Sequence, residues 1–244
     1  MKKTHSIILF ILLAAIVLAA ISRLCVFDVL TILQDDEQPT LMQGDRVLLN
    51  RWSYGYRVPY IKTYHRYASR PAGRGEWVAF NHPIVGKGAR PDTSRVCIGK
   101  VLAAPGDTIW FGNKGNISAF RNYANGCIWP FILPASGTYI HINPTSPWLL
   151  PLYTTMINRY EPDSITTRGD KLFLENKPIE YYRFNRNYYW FKSENEDNLS
   201  DSRSYGPVPE ECLLGKLQTI LYSFDPLLPW TDRWRRNRTL IPIQ

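Results

Sequence analysis

Residues 38–57 read "QPTLMQGDRVLLNRWSYGYR", and this stretch decides the fold of the chain. We interpret "DRVLLNRW", from Asp45 to Trp52, as a β-strand whose side chains are alternately buried and exposed. Gly44 precedes this segment, and a Gly-Asp pair is common in turns. The stretch therefore predicts a strand that follows a turn.

The composition of the 244 residues predicts a folded, mainly β protein. With 45% hydrophobic and 14% aromatic residues the chain can fill a core, which excludes a disordered chain. Fifteen Tyr, eight Trp and eighteen Pro, with few long helical patterns, favour strands. The cysteines and histidines lack the spacing of a zinc site: Cys25, Cys97, Cys127, Cys212, His5, His65, His82 and His141. No metal and no cofactor are predicted.

The first 27 residues predict a membrane anchor. The basic "MKKTHS" is followed by "IILFILLAAIVLAAI", and no further charge occurs before Arg23. With the residues up to Phe27, the apolar stretch approaches the roughly 20 residues that span a bilayer. Lysines before it and acids after it place the N-terminus in the cytoplasm and the main domain outside, on the periplasmic side. The alternative is a cleavable signal peptide that ends near Leu18-Ala19-Ala20.

The net charge of +8 raises the question of a nucleic-acid partner. A membrane anchor makes anionic membrane lipid the better partner, so no nucleic acid is predicted. The stretch "WTDRWRRNR", residues 230–238, interleaves arginines with Trp230 and Trp234 and supports contact with lipid. The alternative for the basic tail, residues 231–244, is a merely solvated segment.

Further strands are predicted on both sides of a turn at Pro105-Gly106-Asp107. "EWVAFNHP" is a strand that Pro83 stops, and "RVCIGKVLAA" and "TIWFG" flank the turn. The segment "YGYRVPYIKTYHRYASRPAGRGE", residues 54–76, is interpreted as a long basic loop that ends in a turn.

Residues 113–188 differ in character from the strands before them. Prolines punctuate the segment, and "LLPLYTTMINRY" is its one predicted short helix. "DKLFLENKPIEYYRF" has a hairpin pattern with Glu175 and Asn176 at its tip. We interpret 113–188 as an inserted lobe in one core domain made of residues 28–112 and 189–230.

Four stretches together resemble the signature boxes of the bacterial type I signal (leader) peptidases. They are "QPTLMQGDRVLLNRWSYGYR" (38–57), "RGEWVAFNHP" (74–83), "KVLAAPGD" (100–107) and "DNLSDSRSYGPVPEECLLGK" (197–216). The lobe and the long loop are similar to the longer form found in Bacteroidetes. The resemblance implies an antiparallel β domain, anchored in the membrane, that removes signal peptides. It also implies a Ser nucleophile and a neutral Lys base whose pKa is lowered by an apolar pocket.

The nucleophile implied by the resemblance is absent from this sequence. It would stand three places before Pro39 of "PTL", where the chain has Asp36. A second family Ser, which helps to bind the oxyanion, corresponds to Gln34. Pro39 and Asp45 belong to the parts of this box that the chain retains.

The implied base and its partner are replaced as well. The base stands six places before the Pro of "PGD", where the chain has Gly99, and Lys100 takes the place of the following Arg. A shift by one residue along a strand turns a side chain to the opposite face, so Lys100 is predicted to face away. The Ser that orients the base corresponds to Leu199, and the opening Gly of that box corresponds to Ser193, whose side chain is predicted to crowd the base pocket. The scaffold pair of this box is retained: Asp201 and Arg203.

The first hypothesis is an inactive homologue that binds signal peptides of secreted proteins or assists an active signal peptidase. The alternative is an active serine-type peptidase with a non-standard arrangement. Thr40 would then be the nearest hydroxyl, and an aspartic pair of Asp36 with Asp35 or Asp201 is also conceivable. A third reading places a hard cation on Asp35, Asp36 and Glu37, but no further ligands converge on them in the sequence.

Overall fold

The computed structural model of the chain describes residues 2–33, 40–57, 66–83, 92–112, 117–118, 129–142, 149–169, 171–194 and 201–243. The chain divides into two compact units. The first consists of residues 1–35, 41–70 and 215–244, and the second of residues 36–40 and 71–214. Both contain antiparallel sheets, which confirms the predicted mainly β fold.

The first unit begins with helix α1 (Lys2–Cys25) and strand β1 (Phe27–Thr31). The large apolar side chains described on this helix are exposed, from Ile7 to Leu18. Within the described part of the chain, no helix has the length and the apolar character required to cross a membrane.

The sheet of the first unit contains the strand predicted at Asp45. Strand β2 (Asp45–Asn50) pairs antiparallel with β1 on one side and with β17 (Leu213–Ser223) on the other. Its side chains alternate between buried and half-buried, which confirms the predicted strand. Strand β18 (Ile241–Pro242) pairs with β17, and a 3-10 helix (Arg236–Arg238) precedes it.

The turn before β2 requires a glycine. Gly44 has a φ of +92°, and a Cβ there would lie 1.8 Å from the carbonyl oxygen of Phe224. Only a residue without a side chain tolerates both conditions. The segment that we predicted to be a loop contains a short pair of strands, β3 (Tyr56–Arg57) and β4 (Arg66–Tyr67), so this prediction was wrong in part. The pairing is only two residues long and has no extended alternating pattern in the sequence.

The sheet of the second unit consists of four strands: β5 (Trp77–His82), β6 (Asp92–Ala103), β15 (Tyr188–Lys192) and β16 (Val208–Pro209). They pair in the order β5–β6–β15–β16. Strand β5 ends before Pro83, as predicted. The short helix α3 (Ser202–Tyr205) and a 3-10 helix (Glu210–Cys212) flank β16.

The rest of the second unit consists of short strands and one helix. Strand β7 (Thr108–Phe111) pairs with β8 (Ile117–Ser118) and β9 (Trp129–Ile132). Strand β10 (Tyr139–His141) pairs with β14 (Tyr181–Arg183). Strands β11 (Ile165–Arg168), β12 (Lys171–Leu174) and β13 (Lys177–Ile179) form a meander. Helix α2 (Leu149–Tyr160) has the predicted bounds.

Two local predictions for this region are confirmed. In the turn before β7, the backbone N–H of Asp107 donates a hydrogen bond to the carbonyl oxygen of Ala104 at 3.0 Å. The tip of the β12–β13 hairpin is formed by Glu175 and Asn176, whose φ angles of +48° and +64° fit a type I′ turn. The extent of the inserted lobe relative to the family stays a prediction.

The core of this part of the second unit is rich in aromatic residues. Phe131, Met156, Ile157, Phe184 and Tyr188 are among its fully buried side chains. The apolar face of α2 closes over the strands, which is how an amphipathic helix buries its apolar stripe. The second unit therefore has a core of its own.

Candidate active site

Four of the predicted site positions lie outside the described residues: Gln34, Asp36, Pro39 and Leu199. The other predicted positions are described. Gly99, Lys100, Asp201 and Arg203 belong to the second unit, whereas Asp45 belongs to the first.

Gly99 occupies the position that the resemblance assigns to the base, and it is buried among aromatic rings. It lies on β6 directly opposite Val78 of β5. A Cβ on Gly99 would stand 3.2 Å from Cβ of Phe191 and 3.5 Å from a ring carbon of Phe80. The rings of Phe80 and Phe191 stack with centroids 4.2 Å apart and planes 14° apart. Carbon atoms pack best at about 3.5–4.0 Å, so even one added methyl group forces its neighbours to move.

Lys100 follows Gly99 on β6 and lies on the opposite face of the sheet. It is paired across the strands with Trp77 and Lys192. Its Nζ lies 3.7 Å from Oε1 of Glu194 and 5.6 Å from the centre of the Trp77 ring. The side chain is 37% exposed. The amine is thus held by a carboxylate on a hydrated face, away from the aromatic packing around Gly99.

Glu194 is a residue to which the sequence analysis assigned no role. Its Oε1 contacts Lys100, and its Oε2 accepts a hydrogen bond from the backbone N–H of Thr40 at 3.3 Å. Thr40 begins the described chain just after the segment that contains Asp36. Glu194 therefore joins β6 to the retained "PTL" segment. Its place beside Ser193, at the start of the last family box, was the signal that could have identified it.

Asp201 forms the polar corner of the second unit, together with Ser193, Ser202 and Arg203. Only 1% of Asp201 is exposed, and its carboxylate is fully engaged. Oδ1 accepts from the backbone N–H of Arg203 at 2.9 Å and caps helix α3. Oδ2 accepts from the backbone N–H of Ser193 at 3.0 Å and from Nε of Arg203 at 2.9 Å. Its contacts are those of a structural carboxylate.

The corner is connected to the strand that packs against Gly99. Oγ of Ser202 accepts a hydrogen bond from the backbone N–H of Phe191 at 3.0 Å, and Ser202 is buried. The position of Phe191 is therefore set by the helix that Asp201 caps. Ser193, predicted to crowd the base pocket, is itself only 1% exposed.

Asp45 has a comparable arrangement in the first unit. It is completely buried, and its Oδ2 accepts from the backbone N–H of Met42 at 3.0 Å. Nη2 of Arg238 lies 2.6 Å from the same oxygen, and Nε of Arg238 lies 3.2 Å from Oδ1. Asp45 thus holds the C-terminal segment to the turn before β2.

No group of three or more metal-ligating side chains occurs among the residues that the structure describes. The acidic run at residues 35–37, considered as a cation site, lies outside them. The described side chains of the candidate site form ion pairs and accept hydrogen bonds from backbone N–H groups. Within the described parts of the site, the strand position expected to carry an amine has no side chain.

Comparisons with known proteins identify the family to which the sequence is similar. Residues 4–125 match the family described as signal peptidase, peptidase S26. The chain is 27% identical to signal peptidase I of Buchnera aphidicola (subspecies Schizaphis graminum) over 212 residues, which cover 77% of this chain and 65% of that protein. Signal peptidase I of Pseudomonas aeruginosa is 24% identical, with 78% of this chain and 63% of that protein covered.

A third relative, signal peptidase I of Aquifex aeolicus, is 24% identical, and 76% of this chain and 72% of that protein are covered. The alignment with the Buchnera and Pseudomonas proteins spans a little under two thirds of their length.

Proposed function

The chain belongs to the signal peptidase family, peptidase S26, and from this we propose that it is a catalytically inactive member. In this proposal it binds signal peptides of secreted proteins, or it assists an active signal peptidase. The proposed residues at the dyad positions are Asp36 and Gly99. The long form typical of Bacteroidetes is part of the same proposal.

The packing around Gly99 is the observation that carries the proposal. A Ser hydroxyl is a weak nucleophile until a base removes its proton. The base position has no side chain, and the stacked rings of Phe80 and Phe191 occupy the space beside it. Lys100 is turned to the other face and is held by Glu194. In the proposed alignment, therefore, neither member of the dyad is available.

The proposal for peptide binding rests on backbone hydrogen bonding. An extended peptide can join an exposed sheet edge as an additional strand and needs no catalytic residue for this. The contacts of Glu194 and Asp201 hold the "PTL" segment and the last family box in place without a dyad. A peptide site of this kind would survive the loss of the chemistry.

The proposed location is the cytoplasmic membrane, with a single span and the main domain outside the cytoplasm. Helix α1 exposes large apolar side chains along its described length, as a lipid-facing helix does. Lys2 and Lys3 at its start support a cytoplasmic location of that end. Membrane lipid is then a partner of the chain.

The experiment that tests the proposal uses the full chain in detergent with a fluorescent signal-peptide substrate. We expect saturable binding by fluorescence anisotropy and no cleavage product. The matched controls are Asp36→Ala and Thr40→Val, which remove the two residues that an active alternative would use. Reproducible cleavage at an Ala-x-Ala site that either variant abolishes would refute inactivity and establish the alternative.

The location is tested separately with a reporter fused after Gln244. We expect activity from a reporter that works only in the periplasm. A signal from a reporter that works only in the cytoplasm would show that the orientation is wrong, whatever the result of the cleavage assay.

A further inference from the structure

The first unit contains a cavity of about 510 Å³, which we call the C-terminal cavity. Its apolar walls are Ile32, Leu33, Phe224, Trp230 and Trp234. Several of these side chains remain in contact with solvent, since Trp230 is 85% exposed and Leu33 is 73% exposed. A volume in this range is typical of sites for small ligands. Neither the peptide-binding proposal nor the candidate active site uses this cavity.

Two guanidinium groups line the same cavity. Arg46 donates to Oγ1 of Thr31, and Arg233 donates through Nε to the carbonyl of Leu228 at 2.6 Å. Neither forms an ion pair with a described residue. Both partners are neutral oxygens, so among the described residues no carboxylate pairs with either guanidinium group. The positive charge of each arginine can attract an anionic ligand.

Among the described residues of the cavity wall, the one carboxylate, that of Asp225, is already paired with an arginine. Asp225 accepts from the backbone N–H of Leu227 at 2.9 Å and from Nη2 of Arg235 at 2.7 Å. These two hydrogen bonds lower the pKa of Asp225, so it stays ionised and paired with Arg235. An anion in the cavity therefore faces two arginines and a compensated aspartate.

A ligand for this cavity needs an anionic group and an apolar portion. Guanidinium groups suit phosphate because their donors match its oxygens in pairs. Indole rings favour the boundary between lipid and water. A free phosphate would use the arginines and leave the apolar wall exposed, whereas a phospholipid would use both.

The chain supplies a reason for lipid to be close. Thr31 in the cavity wall follows Cys25, the end of α1, by only six positions along the chain. Six residues span at most about 20 Å. If α1 is the membrane anchor, as proposed above, the cavity stands within that reach of the lipid headgroups.

We propose that the C-terminal cavity binds the headgroup phosphate of an anionic phospholipid between Arg46 and Arg233. The glycerol and the first acyl carbons lie against Trp230 and Trp234. This proposal rests on the proposed membrane anchor, which brings the cavity close to lipid. It does not depend on whether the chain is catalytically inactive.

The test is calorimetric titration of the full chain in a non-ionic detergent. The probe is water-soluble dihexanoyl phosphatidylglycerol, and titration into empty micelles supplies the baseline. For comparison, the same titration is carried out with dihexanoyl phosphatidylcholine and with inorganic phosphate. We expect saturable binding of the phosphatidylglycerol, and at least about tenfold weaker binding of each comparison probe, since each lacks either the net charge or the apolar portion.

Variants test the assignment of residues. We expect the double change Arg46→Gln and Arg233→Gln to weaken binding about tenfold or more, because charge-assisted hydrogen bonds are lost. The matched control is Arg168→Gln with Lys171→Gln, which removes the same charge from exposed strands of the second unit. Trp230→Ala, on a side chain that is 85% exposed, should weaken binding several-fold without risk to folding.

Three outcomes would overturn the proposal. They are equal affinity for the two dihexanoyl lipids, equal affinity for inorganic phosphate, and unchanged affinity in the arginine double variant. Arg233→Gln alone keeps the test valid if the double variant does not fold. These titrations measure neither cleavage nor topology. They can therefore fail while the proposed function stands, and the reverse also holds.

Discussion

The polar corner around Asp201 and the strand face around Gly99 belong to the same unit but are stabilised in opposite ways. At the corner, a buried carboxylate is held by four donated hydrogen bonds at 2.9–3.0 Å. At Gly99, the sheet is filled by stacked rings, with Phe80 and Phe191 4.2 Å apart. One region depends on a charge whose hydrogen bonds are all satisfied, and the other on apolar packing.

The difference teaches that two regions of one unit are stabilised independently of each other. The Asp201 corner caps a helix and fixes the strand that contains Phe191, and neither task involves Gly99. A change at Gly99 can therefore leave the corner intact. Each region can be perturbed by itself, and the predictions below do so in order of decreasing effect.

The largest effect is expected from high pH, which acts on the aromatic interior of the second unit. Burial raises the pKa of Tyr160 to about 12, and burial likewise raises the pKa of Tyr153 and of Tyr188. The stabilising contribution of a group with a raised folded pKa is complete below its unfolded pKa, about 10 here, and is lost as the pH rises. By pH 11 each of these three tyrosines lowers the free energy of unfolding by about 1.4 kcal/mol, which is roughly 4 kcal/mol for the three together.

Denaturant unfolding of the full chain at pH 8, 10 and 11 measures this loss. Tyr153→Phe should reduce the loss of unfolding free energy at pH 11 by about 1.4 kcal/mol, because the phenol is removed and the ring remains. The control is Tyr139→Phe, on a side chain that is 70% exposed. An unchanged slope in Tyr153→Phe would contradict the assignment of the decline to buried phenols.

The next effect is expected at the polar corner. Asp201→Ala removes the acceptor of the Ser193 backbone N–H, the cap of α3 and the buried carboxylate that Arg203 contacts. Breaking a buried pair in this way destabilises the fold by about 3 kcal/mol. Urea unfolding at neutral pH measures the loss, with Asp232→Ala, on an exposed residue, as the control. A loss similar to that of the control would show that the corner is not a structural centre.

A smaller effect is expected at Gly99. Gly99→Ala adds a methyl group 3.2 Å from Cβ of Phe191, and overpacking of this kind costs about 1–2 kcal/mol. Gly73→Ala is the matched control, because its Cβ would meet the Glu76 side chain at an ordinary 3.6 Å. The measurement is the same urea unfolding. A neutral or stabilising Gly99→Ala would mean that the face has room for a side chain, which would weaken the case for inactivity.

The sequence predicted the elements whose patterns are local. The alternation at β2, the bounds of α2 and the hairpin tip at Glu175 and Asn176 follow from neighbouring residues, and the structure confirms them. The β3–β4 pair was missed because it joins two-residue segments that have no strand pattern of their own. The partners of Lys100 were missed for a related reason. Glu194 is 94 residues away along the chain, and only the folded sheet brings its carboxylate to the amine.

The smallest expected effect is the restoration of the nucleophile alone. Asp36→Ser supplies a hydroxyl, but Lys100 lies on the face opposite Gly99 and pairs with Glu194, so the hydroxyl still lacks a base. We expect no single-turnover cleavage of a signal-peptide substrate by this variant.

The effects of substitutions on catalytic residues that act as one unit are strongly non-additive. The double variant Asp36→Ser with Gly99→Lys should therefore also be inactive. Measurable cleavage is expected only when Leu199→Ser is added, and it should remain weak because Phe80 and Phe191 occupy the space that a new lysine needs. Strong cleavage by Asp36→Ser alone would identify another base. If Lys100→Met then abolished that cleavage, Lys100 would be the base, and the alignment of β6 with the family would have to shift by one residue.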